Sequence, residues 1–320
     1  MHATSKKVTL WGIEVFVATA QEQSISAAAR RLNASPSSIS QQLTNLEAAL
    51  GAVLLNRRER PVTLTPAGEA FRARAQTILN EAAQARLELA RVDHTVLPQL
   101  RLGVIEDFDS DVTPKLLTGL AGEMAATQFL LETGASHRLF EHLETRALDM
   151  IVATDMGVAA DWMEVFPLMV EPFVAVAPKG VVQGADISAA LLKMPLIQYT
   201  TRHHMGRVIS DHLVRQNLTW EHRFELDSYH AIMAMVANGA GWTILTPLGV
   251  AHAKRFGDAV DVFPLPFAPL SRSISAFARR DILGDMPNVI AARLRGLLQD
   301  RIVSPQIARL PWLKGELRVI

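Results

Sequence analysis

The sequence predicts a multidomain α/β chain with a small helical head carrying a β-wing, one long helix, and a two-lobed α/β half. Three observations carry this. Residues 24–50 hold two short helical patterns separated by a tight turn. Apolar residues then recur in steps of four and three from Phe71 to Val92. From residue 100 onward, short apolar strands alternate with helical patterns. At 320 residues and 49% hydrophobic composition, the chain can bury two or three cores.

In the head, Ser24 or Ser26 opens a helix through Ala27, Ala28, Ala29 and Leu32. Asn33 and Ala34 make the turn. Ser35 followed by Pro36 restarts the helix, because a serine cap with proline at the first helical position needs no extra backbone donor. Ile39, Leu43, Leu46 and Leu50 form its buried stripe, leaving Ser37, Ser38, Ser40, Gln41, Gln42 and Asn45 on the other face. Hydroxyls and amides of this kind hydrogen-bond base edges and phosphates. An ordinary buried helix pair with a polar outside is the plainer alternative. Residues 53–55 and 62–64 are apolar runs around Asn56, Arg57, Arg58, Glu59 and Arg60, a small wing with a basic tip. Arg30, Arg31, Lys6 and Lys7 add charge nearby. Through residue 93 there are 11 Lys/Arg against 8 Asp/Glu, while the whole chain carries 32 of each. Positive charge is therefore concentrated in the head. The second helix has no Lys or Arg, so phosphates would be neutralised from its periphery.

The runs Ala28-Ala29-Arg30-Arg31-Leu32, Ser35 to Ser40, Leu46-Glu47-Ala48-Ala49-Leu50-Gly51 and Leu64-Thr65-Pro66-Ala67-Gly68 keep the order and spacing of AAxxL, SxxxxS, LExxLG and LTxAG. In this the segment resembles the winged helix-turn-helix of LysR-type transcriptional regulators. The resemblance implies that Ser35, Pro36, Ser37, Ser38, Ser40, Gln41 and Gln42 enter the major groove of double-stranded promoter DNA. Arg57 and Arg58 would then grip phosphate or minor groove, with Arg30 and Arg31 supporting them. Gln41 departs from the family, many of whose members carry Arg there, and this leaves the preferred base sequence open.

Pro66 after Thr65 starts the long helix, and Phe71, Ala75, Ile78, Ala82, Ala85, Leu89 and Val92 form a heptad seam along it. The seam spans roughly 30 Å, enough for a dimer contact, although packing within its own domain is the alternative. The resemblance implies pairing of two heads, hence a roughly palindromic site, and a homotetramer as the assembled form. Pro98 closes a short hinge.

Strands are expected over 100–105, 128–132 and 150–153, with helices over 113–124 and 138–147 between them, which implies a parallel sheet. A second set begins near Pro172 with strands over 174–177, 196–199, 224–226 and 243–245. Residues 273–278 and 288–298 return to the first lobe. The arrangement is similar to the effector domain of LysR-type regulators and to periplasmic binding proteins, resting on the Gly103 strand, Glu132-Thr133-Gly134 and Asn238-Gly239-Ala240-Gly241. The expected division is 1–65 for the winged helix-turn-helix, 66–97 for the linker helix and hinge, and 98–301 for the effector-binding domain. Lobe I takes about 98–163 and 268–301, and lobe II about 164–267. Residues 302–320 lie beyond the usual family end and receive no role.

Ligands in such sheets sit beyond the carboxyl ends of the strands. This selects Glu106, Asp107, Phe108, Asp109, Thr133, Thr154, Thr200, Thr201, Arg202, His203, Asp227 and Trp242 as effector-binding candidates. Family members tend to place a small Ser or Thr where this chain reads Glu106-Asp107-Phe108-Asp109-Ser110-Asp111. The acidic run suggests a cationic or amine-bearing effector. Capping of the next helix by Asp109, Ser110 or Asp111 is the plainer reading. Arg202 could meet an effector carboxylate, in which case an amino acid or betaine-like molecule satisfies both ends.

The absence of cysteine excludes disulfides, thiolate metal sites and thiol redox sensing. Adjacent His203 and His204 cannot readily share one metal from a rigid strand, so neither metal nor cofactor is expected. No Walker loop, dinucleotide fingerprint, HExxH or nucleophile elbow is present, and nothing supports an enzyme. No apolar stretch of roughly 18 residues suggests a membrane span, no signal-peptide core opens the chain, and the expected compartment is the cytoplasm. The expectation is a ligand-responsive DNA-binding regulator. Its rivals are a two-lobed solute-binding protein and an enzyme using the same cleft.

Overall fold

The computed structural model describes residues 7–90, 97–157, 159–182, 187–218 and 222–320. They fall into two compact units, Met1–Pro98 with Glu144–Ala147, and Gln99–Leu143 with Leu148–Ile320.

The first unit holds α1 (Leu10–Glu22), α2 (Ile25–Arg31), α3 (Pro36–Leu50), the hairpin β1 (Leu55–Asn56) and β2 (Thr63–Leu64), and α4 (Pro66–Ala90). Side chains of Thr9, Ser24 and Ser35 accept backbone N–H groups in the first turns of α1, α2 and α3. Gly51, at φ 67°, ends α3 in the left-handed conformation that glycine adopts without strain. Ile13, Phe16, Ile39, Leu43, Leu46, Leu54, Leu55 and Val62 form the core. Gly68 is required by close approach, since a Cβ there would lie 2.1 Å from the Leu54 carbonyl oxygen. This supplies a physical reason for the glycine ending LTPAG.

The long helix joins this core at its start. Ala75 is fully buried and the Phe71 ring lies 5.4 Å from that of Phe16. The first two residues of the heptad seam therefore pack inside their own unit, whereas Ile78 is 38% exposed. Ala82 is half-buried and Ala85 exposed. Only the backbone of Leu89 is described, and Val92 and Lys6 lie outside the described residues.

The second unit begins with β3 (Gln99–Val104), α5 (Thr113–Glu123), β4 (Gln128–Thr133), α6 (Ser136–Glu144), β5 (Met150–Thr154) and β6 (Met163–Pro172). It continues through β7 (Val174–Pro178), α7 (Ile187–Leu191), β8 (Leu196–Tyr199), α8 (His204–Arg215), β9 (His222–Leu226), α9 (Tyr229–Ala237), β10 (Thr243–Leu245), α10 (Pro247–His252) and β11 (Val260–Pro264). It ends with β12 (Ser271–Arg279), α11 (Met286–Leu298), α12 (Ser304–Arg309) and β13 (Arg318–Val319). One lobe is built on a sheet of order β13-β6-β12-β5-β3-β4. The sheet is mixed rather than parallel: β3 runs parallel to β4 and β5, while β12 is antiparallel to both β5 and β6. In the other lobe β7 pairs antiparallel with β10 and β11, and β8 pairs parallel with β9. β6 and β12 run as neighbours between the lobes.

β6, β11 and the carboxyl-terminal segment escaped the sequence pattern. β6 carries Pro167, which lacks a ladder donor and argues against a strand. It is accommodated at a bulge, where Ile274 faces Met169 and Ser275 faces Pro167, so Leu168 is the extra residue. The segment after residue 301 is folded onto the unit: Ile302, Val303, Leu313 and Leu317 are buried, and β13 pairs antiparallel with β6. From α12, Arg309 donates to the Gly257 carbonyl in the second lobe at 2.8 Å.

Candidate functional site

In the first unit, the stripe Ile39, Leu43 and Leu46 turns the opposite face of α3 outward. Ser35, Pro36, Ser37, Ser38 and Gln41 are exposed, with Ser40 and Gln42 half-buried. Ser35 is committed to capping, its hydroxyl accepting from the Ser38 N–H at 3.2 Å and lying 2.9 Å from the Ser37 hydroxyl. Gln41 donates to Asn45 one turn on, at 3.1 Å, which orients its amide.

The basic residues divide into bound and free. Arg57 pairs with Glu47 and donates to Thr44 Oγ1 at 2.9 Å and to the Ser40 carbonyl at 3.3 Å. Its side chain is only 22% exposed. It braces the wing against α3, in contrast to the expectation of a free phosphate grip. Arg31 is likewise held, by Gln21 at 2.7 Å and Glu22 at 3.2 Å. Arg30 and Arg58 are exposed. Glu47, the glutamate of LExxLG, was not among the expected functional residues. Its other oxygen accepts from the N–H groups of Leu54 and Leu55, at 2.8 and 3.3 Å, so one carboxylate ties helix, loop and wing together.

In the second unit, the parallel strands β3, β4 and β5 end at Val104, Thr133 and Thr154, and β8 and β9 end at Tyr199 and Leu226. These ends enclose a cavity of about 390 Å³. Glu106, Asp107, Thr133, Thr154, His203 and Asp227 line it, as expected from strand order. Phe108, Thr200 and Trp242 are buried and do not face it. Asp109 instead accepts from the Thr133 hydroxyl at 3.0 Å, and Thr201 binds Glu225 through its N–H at 3.0 Å. Arg202 is 77% exposed, off the wall, and 3.9 Å from Asp227. None of Asp109, Ser110 and Asp111 caps α5, whose N-cap is Val112 without a side-chain bond.

The cavity floor is a buried ion cluster that sequence order did not reveal. Arg272 donates to Glu171 at 2.7 Å and to Asp107 at 2.8 Å, and the Tyr229 hydroxyl donates to Asp107 at 3.1 Å. Burial opposes the charge on Arg272, but Asp107 and Glu171 hold it protonated. Burial pushes Glu171 up to about 7 against the pull of Arg272. Burial also raises Glu106 to about 7, reinforced by Asp107, Asp109 and Asp227. His203 is lowered by burial and by His137, and His204 by burial and Arg207. Tyr199 and Tyr229, the chain's only tyrosines, both line the cavity with ring centroids 5.5 Å apart. That rarity was the one available hint to them. Among the described residues no group of three or more metal-ligating side chains is placed to hold an ion. No described helix is long and apolar enough to cross a membrane.

Residues 10–69 match the bacterial regulatory helix-turn-helix protein model of the lysR family, and residues 95–288 match the LysR substrate binding domain. A probable hydrogen peroxide-inducible genes activator of Mycobacterium xenopi is 31% identical over 180 residues, covering 56% of this chain and 95% of that protein. The HTH-type transcriptional regulator YfeR of Shigella flexneri is 23% identical over 300 residues, 89% of this chain and 96% of its own. Full-length OxyR from Pseudomonas aeruginosa superposes with a TM-score of 0.66 at 25% identity, covering 90% of this chain and 95% of that one.

Proposed function

The chain belongs to the LysR-type transcriptional regulators, and on that premise we propose which residues read DNA and where its effector sits. It is a DNA-binding regulator that acts on promoter DNA as a homo-oligomer and responds to a small molecule. We read it as acting in the cytoplasm and as having no catalytic role of its own.

The observation that carries the DNA assignment is the outward face of α3, polar and free of Lys and Arg, opposite a fully apolar stripe. Ser35, Pro36, Ser37, Ser38, Ser40, Gln41 and Gln42 enter the major groove, with Gln41 and Ser38 as the base readers. Arg30 and Arg58 take phosphates, while Arg31 and Arg57 shape the head through their internal partners. The part of α4 from Ile78 onward pairs with a second copy, since Phe71 and Ala75 are occupied within the core.

The effector occupies the cavity between the lobes, where Glu106 and Asp107 come from one lobe and Tyr199, His203, Asp227 and Tyr229 from the other. A ligand touching both favours one lobe arrangement over another, the requirement for any ligand-driven switch. Hydrogen peroxide is named for several relatives. It cannot act here through a thiol, because this chain has no cysteine.

Equilibrium binding of the full chain to duplexes from its own upstream region tests this reading. Replacing Ser38 or Gln41 by Ala is expected to change relative affinity among sites by about 1–3 kcal/mol per base contact. Unaltered discrimination in both variants would remove α3 from the groove.

A further inference from the structure

We propose that the cavity takes a small organic cation bearing no carboxylate, its ammonium held between Glu106 on one lobe and Asp227 on the other. This rests on the cavity being the effector site and names the chemistry that fits it.

The fixed charges point one way. Asp107 and Glu171 share the single guanidinium of Arg272, so the buried floor has no positive charge to spare. Glu106 and Asp227 supply carboxylates from the walls, and a cation seated between them would draw Glu106, held at about 7 by burial and its acidic neighbours, into its charged form. Against them stand the first turns of α6, α8 and α9, whose residues Ser136, His204 and Tyr229 line the same space. Each helix start is equivalent to about half a positive charge, and the α9 start is already capped by Ser228. With Glu106 ionised beside a cation, the lining sets three carboxylates against Arg272 and these partial charges, and its balance is negative.

Among the described residues that line the cavity, no cation is left over for a ligand carboxylate. Arg272 is spent on its two acids. Arg202 lies off the wall and leans on Asp227 at 3.9 Å. His203 and His204 are both held toward the neutral form by burial. The amino acid or betaine suggested by sequence would bring a carboxylate with nothing to meet it.

The walls suit an organic cation. The Tyr199 ring lies tilted 5.5 Å from that of Tyr229 and 5.9 Å from that of His203, and His203 lies 5.9 Å from His137. Such a run of ring faces attracts a desolvated ammonium. Tyr199 is only 5% exposed and lines the cavity, and its hydroxyl has no partner among the described residues. It is available to a ligand. A cavity of about 390 Å³ matches an amine of modest size.

The test pairs each cation with its carboxylated counterpart on the full-length protein. Tetramethylammonium, tyramine and agmatine are compared with glycine betaine, tyrosine and arginine, and with benzoate, by thermal shift and titration calorimetry at millimolar excess. The amines are expected to bind saturably and better than their partners. Glu106→Gln and Asp227→Asn, on separate lobes, should each weaken them about tenfold or more. Thr133→Trp, at an exposed wall position, should block them. Equal or tighter binding of the carboxylated partners or of benzoate, blocked by Thr133→Trp, overturns the cation and keeps the cavity. Amines that bind despite Thr133→Trp overturn both. Silence from every amine, or binding untouched by both charge variants, also overturns the proposal.

Discussion

At Arg57 a guanidinium is bound by its own fold. Because it pairs with Glu47, which also accepts two backbone N–H groups, Arg57→Ala should cost about 1–2 kcal/mol of stability in the head. It should leave the salt dependence of DNA binding nearly unchanged. Arg58→Ala should do the reverse, lowering the slope by about one with the melting point intact. Salt titrations of the two variants side by side decide it, and equal slopes for both would return Arg57 to the phosphate contacts. Glu106 supports a second prediction. Its folded-state value near 7 lies above the ordinary 4.5, so the folded chain holds a proton that the unfolded chain releases. Its contribution is complete below about pH 4.5 and is lost as pH rises through about 7. Denaturation between about pH 5 and pH 8 should show the parent chain losing stability relative to Glu106→Gln. A constant difference across that window would contradict the assignment. Residue roles were legible where partners are close in sequence, as for the Ser35 cap and its Ser38 donor. Asp107 and Arg272 lie 165 positions apart, and only the folded sheet brings them together.

Elements were legible where one periodicity dominates and punctuation is local. α3 starts at Ser35-Pro36 and stops at Gly51 as the residues dictate, and β8 spans residues 196–199 as expected. β6 was hidden because its proline is tolerated only at a bulge set by β12, a neighbour more than a hundred residues away. The heptad seam of α4 is apolar in sequence, but period alone cannot say which partner covers it. Phe71 and Ala75 face α1 and the core. β12 carries the sharpest test at this scale. Arg272→Met leaves Asp107 and Glu171 buried without their cation, and should cost about 3–5 kcal/mol. A loss below about 1 kcal/mol in denaturant titration would mean the cluster is not intact in solution.

The whole molecule joins a DNA-reading unit to a ligand-binding one, and thermodynamics makes their coupling reciprocal. Whatever factor an effector applies to DNA affinity, DNA must apply to effector affinity. The composition foreshadowed this division through its uneven charge, and the strand alternation foreshadowed the lobes. The carboxyl-terminal segment gave no such sign, because its short apolar runs have meaning only against β6 and α11. It is part of the core: Leu313 is fully buried, and Leu313→Ala should cost about 2–5 kcal/mol in thermal or chemical unfolding. An unshifted transition would make the segment an appendage. Its last strand has a geometric corollary. Arg318 and Val319 occupy the outer flank of β6 opposite Val170 and Met169, while among the described residues β4 forms the opposite edge of the sheet. The two edges of the large sheet are thus unequal, two residues long at β13 and six at β4, and a chain extending the sheet by backbone pairing finds its longer template along β4.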